Sequence, residues 1–146
     1  MEPVFPQGER IRVLVVDDEA SSRRTLCQLL QMSGFFCAVA ANGAQALEIV
    51  HSFHPQAIIM DLMMPILDGF ETTRRLKEHT ETRSIPVLAL TASTTAQDQQ
   101  EAQRAGVDAF LTKPINLDHL LLHLRKHLPD PLEVAAAGPG PEGGDG

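Results

Sequence analysis

The sequence has almost no cysteine. Only Cys27 and Cys37 occur in 146 residues, too few for the disulfide framework that staples small secreted domains. Both stand among apolar neighbours and read as reduced thiols in or near a core. Basic charge is also short: 12 Lys and Arg stand against 19 Asp and Glu, a net charge of −7. A nucleic-acid-binding domain shows the opposite balance. No apolar run is long enough to cross a bilayer. Residues 1–10, MEPVFPQGER, lack the basic start and apolar stretch of a secretory signal. No kinase, ATP-binding or DNA-binding segment is recognisable. The expectation is a cytoplasmic protein with no direct nucleic-acid or membrane partner.

The length suits one domain with a core of its own. Residues 1–9 hold two prolines and little pattern, and read as a flexible lead-in. Residues 129–146, PDPLEVAAAGPGPEGGDG, are rich in Pro, Gly and acid. They bury too little to offset ordering entropy and read as a disordered tail, too short and polar for an output domain. Between them, residues 10–128 alternate. Short apolar runs, IRVLVVDD, FFCAVAA, QAIIMD, IPVLALTA and AFLTKP, read as strands. Amphipathic segments follow each of them. The first shows Leu26, Leu29, Leu30 and Ser33 on one face and stops at Gly34; the second turns in Ala46, Leu47 and Val50. Asp68 caps the third, with Glu71 at the capping-box spacing. The fourth has only Ala96, Ala102 and Ala105 as inward candidates, so it docks weakly. The fifth turns in Leu117, Leu120, Leu121, Leu124 and Leu128. Five strand–helix units predict an α/β fold, a parallel sheet with helices on both faces.

In such sheets ligands bind beyond the carboxyl ends of the strands. Those ends are polar: Asp17 and Asp18 after the first strand, Asp61 after the third, Thr91 after the fourth, Lys113 and Pro114 after the fifth. Three carboxylates in one crevice repel, so they call for a cation. Hard oxygen donors favour Mg²⁺, with Mn²⁺ as the substitute. A divalent ion with Lys113 would neutralise an incoming phosphoryl group, and the Thr91 hydroxyl would donate to it. The chemistry this suggests is phosphoryl transfer to a carboxylate nucleophile.

The motifs VLVVDDE, IIMDLMMPILDGFE, LALTA and FLTKP, in that order, resemble the receiver domain of two-component response regulators. The resemblance covers residues 10 to 128 and implies a flavodoxin-like (CheY-like) three-layer sandwich of five strands, order 2-1-3-4-5, and five helices. It implies that Asp61 is the phosphoacceptor, served by a sensor histidine kinase or a histidine phosphotransfer protein. Asp17 and Asp18 match the acid pair that holds Mg²⁺, Asp18 the more directly. Met63 matches the position whose backbone carbonyl joins them. Thr91 and Lys113 match the groups that contact phosphoryl oxygens. Pro114 matches a proline after a cis peptide bond, and Phe110 the aromatic switch position, here without the hydroxyl of the usual Tyr. The implied protein is a signalling receiver that catalyses its own phosphorylation and dephosphorylation. It would signal to a downstream output protein or domain through the face of the fourth helix, fifth strand and fifth helix, as a monomer or weak dimer. IPVLALTA and the KPI ending lean towards receivers of hybrid histidine kinases.

Each residue alone has a plainer reading. Asp17 or Asp18 caps a helix, Asp61 sits in a turn, and Thr91 and Lys113 are a strand end and a solvated cation. Their joint placement favours the site. His119, His123 and His127 share one helical stripe; a solvated face is the expected reading, and Zn²⁺ or Ni²⁺ binding the alternative. Two other functions compete. A haloacid-dehalogenase-like phosphatase needs an acid two residues after its nucleophile, where this chain has Met63. A flavin module needs a phosphate-binding loop, where this chain has DDEASS.

Overall fold

The computed structural model describes residues 10–128; the readings made for residues 1–9 and 129–146 lie outside them. Strands and helices alternate: β1 (Arg12–Val16), α1 (Ala20–Met32), β2 (Phe36–Ala40), α2 (Gly43–Phe53), β3 (Ala57–Asp61), α3 (Gly69–Glu78), β4 (Val87–Thr91), α4 (Ala96–Ala105), β5 (Ala109–Thr112) and α5 (Leu117–His127). All pairings are parallel, in the order β2-β1-β3-β4-β5. This is the expected flavodoxin-like sandwich.

The pleat divides each strand between two cores. Leu14, Val16, Ile58, Met60, Val87 and Ala89 face one side, against Ala46 and Val50 of α2, Phe70 and Leu76 of α3 and Ala102 of α4. Val13, Val15, Ile59, Leu88 and Leu90 face the other, against Leu26 and Leu30 of α1 and Leu120 and Leu124 of α5. Central β3 and β4 are buried along their whole length. That is why their sequences run apolar without alternation.

Local chemistry sets the helix ends. Asn42, Asp68, Thr95 and Asn116 cap α2 to α5, each side chain accepting the N–H three residues on. The Glu71 side chain does not complete a capping box: its carboxylate accepts from Arg74 and Arg75, at 3.1 Å each. Helical i,i+3 and i,i+4 partners lie closer to it than the helix start does. Gly34, with φ 98°, ends α1 in the left-handed region that glycine adopts without strain. Ala96 differs from expectation: it is exposed, and α4 buries only Ala102 and Ala105. It is the first residue of the helix. Strands β4 and β5 are shorter than the apolar runs suggested. Ile85 and Pro86 precede β4, and Lys113 and Pro114 leave β5 for the turn into α5.

Candidate functional site

From β1 the chain crosses to β2 on one side and then to β3 on the other. A crevice opens where the direction reverses, beyond the strands' carboxyl ends. Val16 pairs with Met60 across it, so the next residues, Asp17 and Asp61, stand side by side. Both are buried, with 3% and 5% of their surface exposed. Asp18, one residue on, is exposed. One oxygen from each of Asp17, Asp18 and Asp61 lies within 4.8 Å of the others. Among the described residues this is the one group of three or more His, Cys, Asp or Glu close enough to share an ion. Oxygen-only carboxylate donors open to water suit Mg²⁺.

Lys113 supplies the opposite charge. Its Nζ lies 3.3 Å from Asp61 Oδ2 and 3.6 Å from Asp17 Oδ2. Burial alone would depress the ammonium, but Asp61 and Asp17 outweigh it and hold its pKa above the ordinary value. At Asp61 the balance instead disfavours the charged form. Burial, with Asp17 adding repulsion, pushes its pKa up to about 6 against the pull of Lys113 and the Met63 N–H. One ammonium therefore does not fully neutralise the pocket, and the three carboxylates could hold a cation.

Three features hold Asp61 in place. Lys113 takes Oδ2. The Met63 N–H donates to Oδ1 at 3.2 Å, while the Met63 side chain is 55% exposed. Gly69, the first residue of α3, packs so close that a Cβ there would lie 2.4 Å from the Asp61 carbonyl oxygen. Its own N–H donates to the Leu62 carbonyl at 3.0 Å. Asp17 is fixed as well. Its Oδ1 accepts from Glu19 N–H at 2.9 Å, and its carbonyl accepts from Arg23 Nη1 at 2.7 Å. Glu19, at the N-cap of α1, makes no side-chain cap bond, so Asp17 both supports the helix start and lines the site.

Thr91 is buried at the end of β4, one residue past Leu90, the register partner of Asp61. Its hydroxyl accepts from Ser93 N–H at 3.1 Å. The Lys113–Pro114 peptide bond is cis. Phe110, on β5, is half-buried against the core on the α4 side. Among the described residues, the three histidines of the stripe do not form a group that could share an ion. His127 Nδ1 instead lies 2.9 Å from the His123 carbonyl oxygen. Gly69, Arg23 and the Met63 N–H were not singled out from sequence; the pair Asp68-Gly69 at the cap and first residue of α3 was the signal for the first.

A groove of about 280 Å³ runs from the site between α1 and the turn into α5, lined by Asp17, Ser21, Ser22, Thr25, Lys113 and Pro114 among others.

Comparison with known proteins agrees. The family profile "Response regulator receiver domain" matches residues 13–125. Response regulator MprA of Mycobacterium ulcerans is 37% identical over 115 residues, which make up 79% of this chain and 49% of that protein. The MprA of Mycobacterium bovis is 36% identical over the same length. The chain thus spans about half the length of the curated relatives it matches. Among solved structures, chemotaxis protein CheY4 of Vibrio cholerae superposes with a TM-score of 0.78 at 32% identity, covering 82% of this chain and 100% of that one. The receiver domain of a signal transduction histidine kinase from Syntrophus aciditrophicus gives 0.75 at 31% identity, covering 80% and 89%. The fold, the acidic cluster and these likenesses converge: the chain belongs to the response regulator receiver domain family.

Proposed function

We propose that this chain accepts a phosphoryl group on Asp61 from a phosphohistidine and passes the change on as a signal. The observation that carries the reading is the placement of Asp61. It is a buried carboxylate at the end of a central strand, clustered with Asp17 and Asp18 and paired with Lys113. A carboxylate so buried is costly unless it is used and compensated.

Asp61 Oδ attacks phosphorus in line; the P–N bond of the phosphohistidine breaks and the imidazole leaves. The Met63 N–H and Lys113 hold the two carboxylate oxygens on different sides, which orients the nucleophile. Lys113 then shifts from Asp61 to the new phosphoryl oxygens and stabilises their charge. Asp17, Asp18, Asp61 and the Met63 carbonyl are the groups that would hold Mg²⁺, or Mn²⁺ in its place. Such an ion supplies positive charge for the phosphoryl oxygens. Water later hydrolyses the acyl phosphate in the same pocket. The Thr91 hydroxyl leaves Ser93 and donates to a phosphoryl oxygen; Phe110 turns inward behind it, and the α4–β5–α5 face changes. The donor, a sensor histidine kinase or a phosphotransfer protein, seats in the groove between α1 and the turn into α5. A downstream output protein or domain reads the altered face. Cytoplasmic location fits such partners, and among the described residues no helix is long and apolar enough to cross a membrane. The receiver unit is residues 10–128.

Incubation with Mg²⁺ and acetyl phosphate, followed by intact mass, tests this. One phosphoryl adduct is expected in the native chain and none in Asp61→Asn. An adduct that survives the substitution overturns the assignment. Steady turnover of a phosphate monoester would point to a phosphatase instead.

A further inference from the structure

Two thiols remote from any role in phosphoryl transfer meet between α1 and β2. Cys27 lies on α1 and Cys37 on β2; both are free and half-buried. Edge strand β2 turns alternate residues to opposite faces. Cys37 packs with Leu26 and Leu30 of α1, whereas Ala38 joins the opposite core. Cys27 lines a surface hollow together with Val39, which lies two residues from Cys37 on the same face of β2, and it stands near enough to raise the Cys37 pKa; the Cys37 thiol itself donates to the Ala38 carbonyl at 3.6 Å.

The two differ in access. A surface hollow of about 340 Å³ is lined by Arg23, Arg24, Cys27, Gln28 and Val39 among others. Cys27 forms part of its wall; Cys37 does not. Arg23 and Arg24 in its lining give the hollow positive charge, which favours an anionic reagent. Burial and the nearby Cys27 raise the Cys37 pKa well above a free thiol's, so Cys37 is the poorer first nucleophile. A reachable thiol backed by a second is the arrangement of a reactive and a resolving cysteine.

We propose that Cys27 and Cys37 form a thiol–disulfide modification site, oxidised by a small anionic disulfide of the glutathione class that enters the hollow at Arg23 and Arg24. The Cys27 thiolate attacks one sulfur of the reagent. The reagent's S–S bond breaks; one half leaves as a thiolate and takes a proton, and the other stays on Cys27 as a mixed disulfide. Cys37 gives its proton to solvent, attacks the Cys27 sulfur and expels the second half, which is protonated in turn. The two protein thiols lose two electrons and the reagent becomes two thiols. The new bond closes the loop from residue 27 to residue 37 and ties α1 to the edge strand. Dithiothreitol reverses it.

The test is incubation of the full chain with oxidised glutathione, read by intact mass and by titration of free thiols. The native chain is expected to lose two hydrogens, lose both titratable thiols, stay monomeric, and melt about 5 °C higher until reduced. Cys37→Ser should stop at one glutathione on Cys27, and Cys27→Ser should take none. The native-chain result needs neither variant to fold. A stable glutathione adduct on the native chain, a chain-to-chain disulfide, or two thiols that survive the reagent would overturn the proposal.

Discussion

Helices α3 and α4 are both 10 residues long, and both are capped by a side chain that accepts the N–H three residues on. There the likeness ends. α3 buries Gly69, Phe70, Thr72, Thr73 and Leu76, whereas α4 buries Ala102 and Ala105. Each large apolar side chain removed from water contributes roughly 1.5–3 kcal/mol, and an alanine methyl well under that. α3 is thus anchored, and it anchors the nucleophile in turn: Gly69 lies against the Asp61 carbonyl. α4 is held to the core by the methyl groups of Ala102 and Ala105. On the proposed function, one helix would keep the chemistry still and the other, more weakly held, would answer it. The answering face lies next to Thr91 and Phe110, which is where a change at Asp61 would first be felt.

The comparison predicts unequal responses to mutation. The largest is at the anchored end. Gly69→Ala places a Cβ 2.4 Å from the Asp61 carbonyl oxygen and 2.7 Å from Leu62 Cα, both backbone. The backbone must shift, and stability should fall by about 3 kcal/mol in urea unfolding. A midpoint equal to the native one would show that this contact does not brace the site.

Second is Asp61→Asn in the metal-free chain, expected to gain about 2 kcal/mol at pH 8. Burial lifts the folded pKa of Asp61 from 3.8 to about 6, so folding disfavours its charged form. The carboxyl's contribution is fully present below the unfolded pKa and lost as pH rises through the folded one. The gain from asparagine should therefore grow between about pH 4 and pH 6 and level off above that. A gain independent of pH would assign the effect to packing.

Third come the caps. Asp68→Ala and Thr95→Ala each remove one bond to a helix N–H, a loss of about 1 kcal/mol at its own helix. On α3 the loss should appear in global unfolding. On α4 it should appear chiefly as faster amide exchange within that helix. Equal global effects would erase the contrast. Smallest is Ala96→Gly, at an exposed first-turn position, expected to cost about 0.5 kcal/mol or less in the same urea assay.

What could be read before folding follows the same division. Strand ends were legible because an apolar run that stops at a charge marks both a strand and its exit. Asp17, Asp61 and Lys113 come together on that logic alone, since the sheet order turns separate strand ends into neighbours. Groups acting through the backbone were not legible. The Met63 N–H on Asp61 and the Arg23 guanidinium on the Asp17 carbonyl depend on loop geometry that side-chain type does not encode. Ala96 misled because helical periodicity counts a residue as inward even at the first position of a helix, where this one is exposed. Glu71 misled because two arginines one turn on compete for its carboxylate.

The contrast between a fixed strand and a loose helix is tested most directly by hydrogen exchange on the chain with Mg²⁺, before and after phosphorylation by acetyl phosphate, with Asp61→Asn as the control. The account predicts altered exchange in α4 and β5, unchanged exchange in β3 and α3, and no difference in the control. Exchange that changes equally in α3 and α4, or an α4 indifferent to phosphorylation, would contradict it.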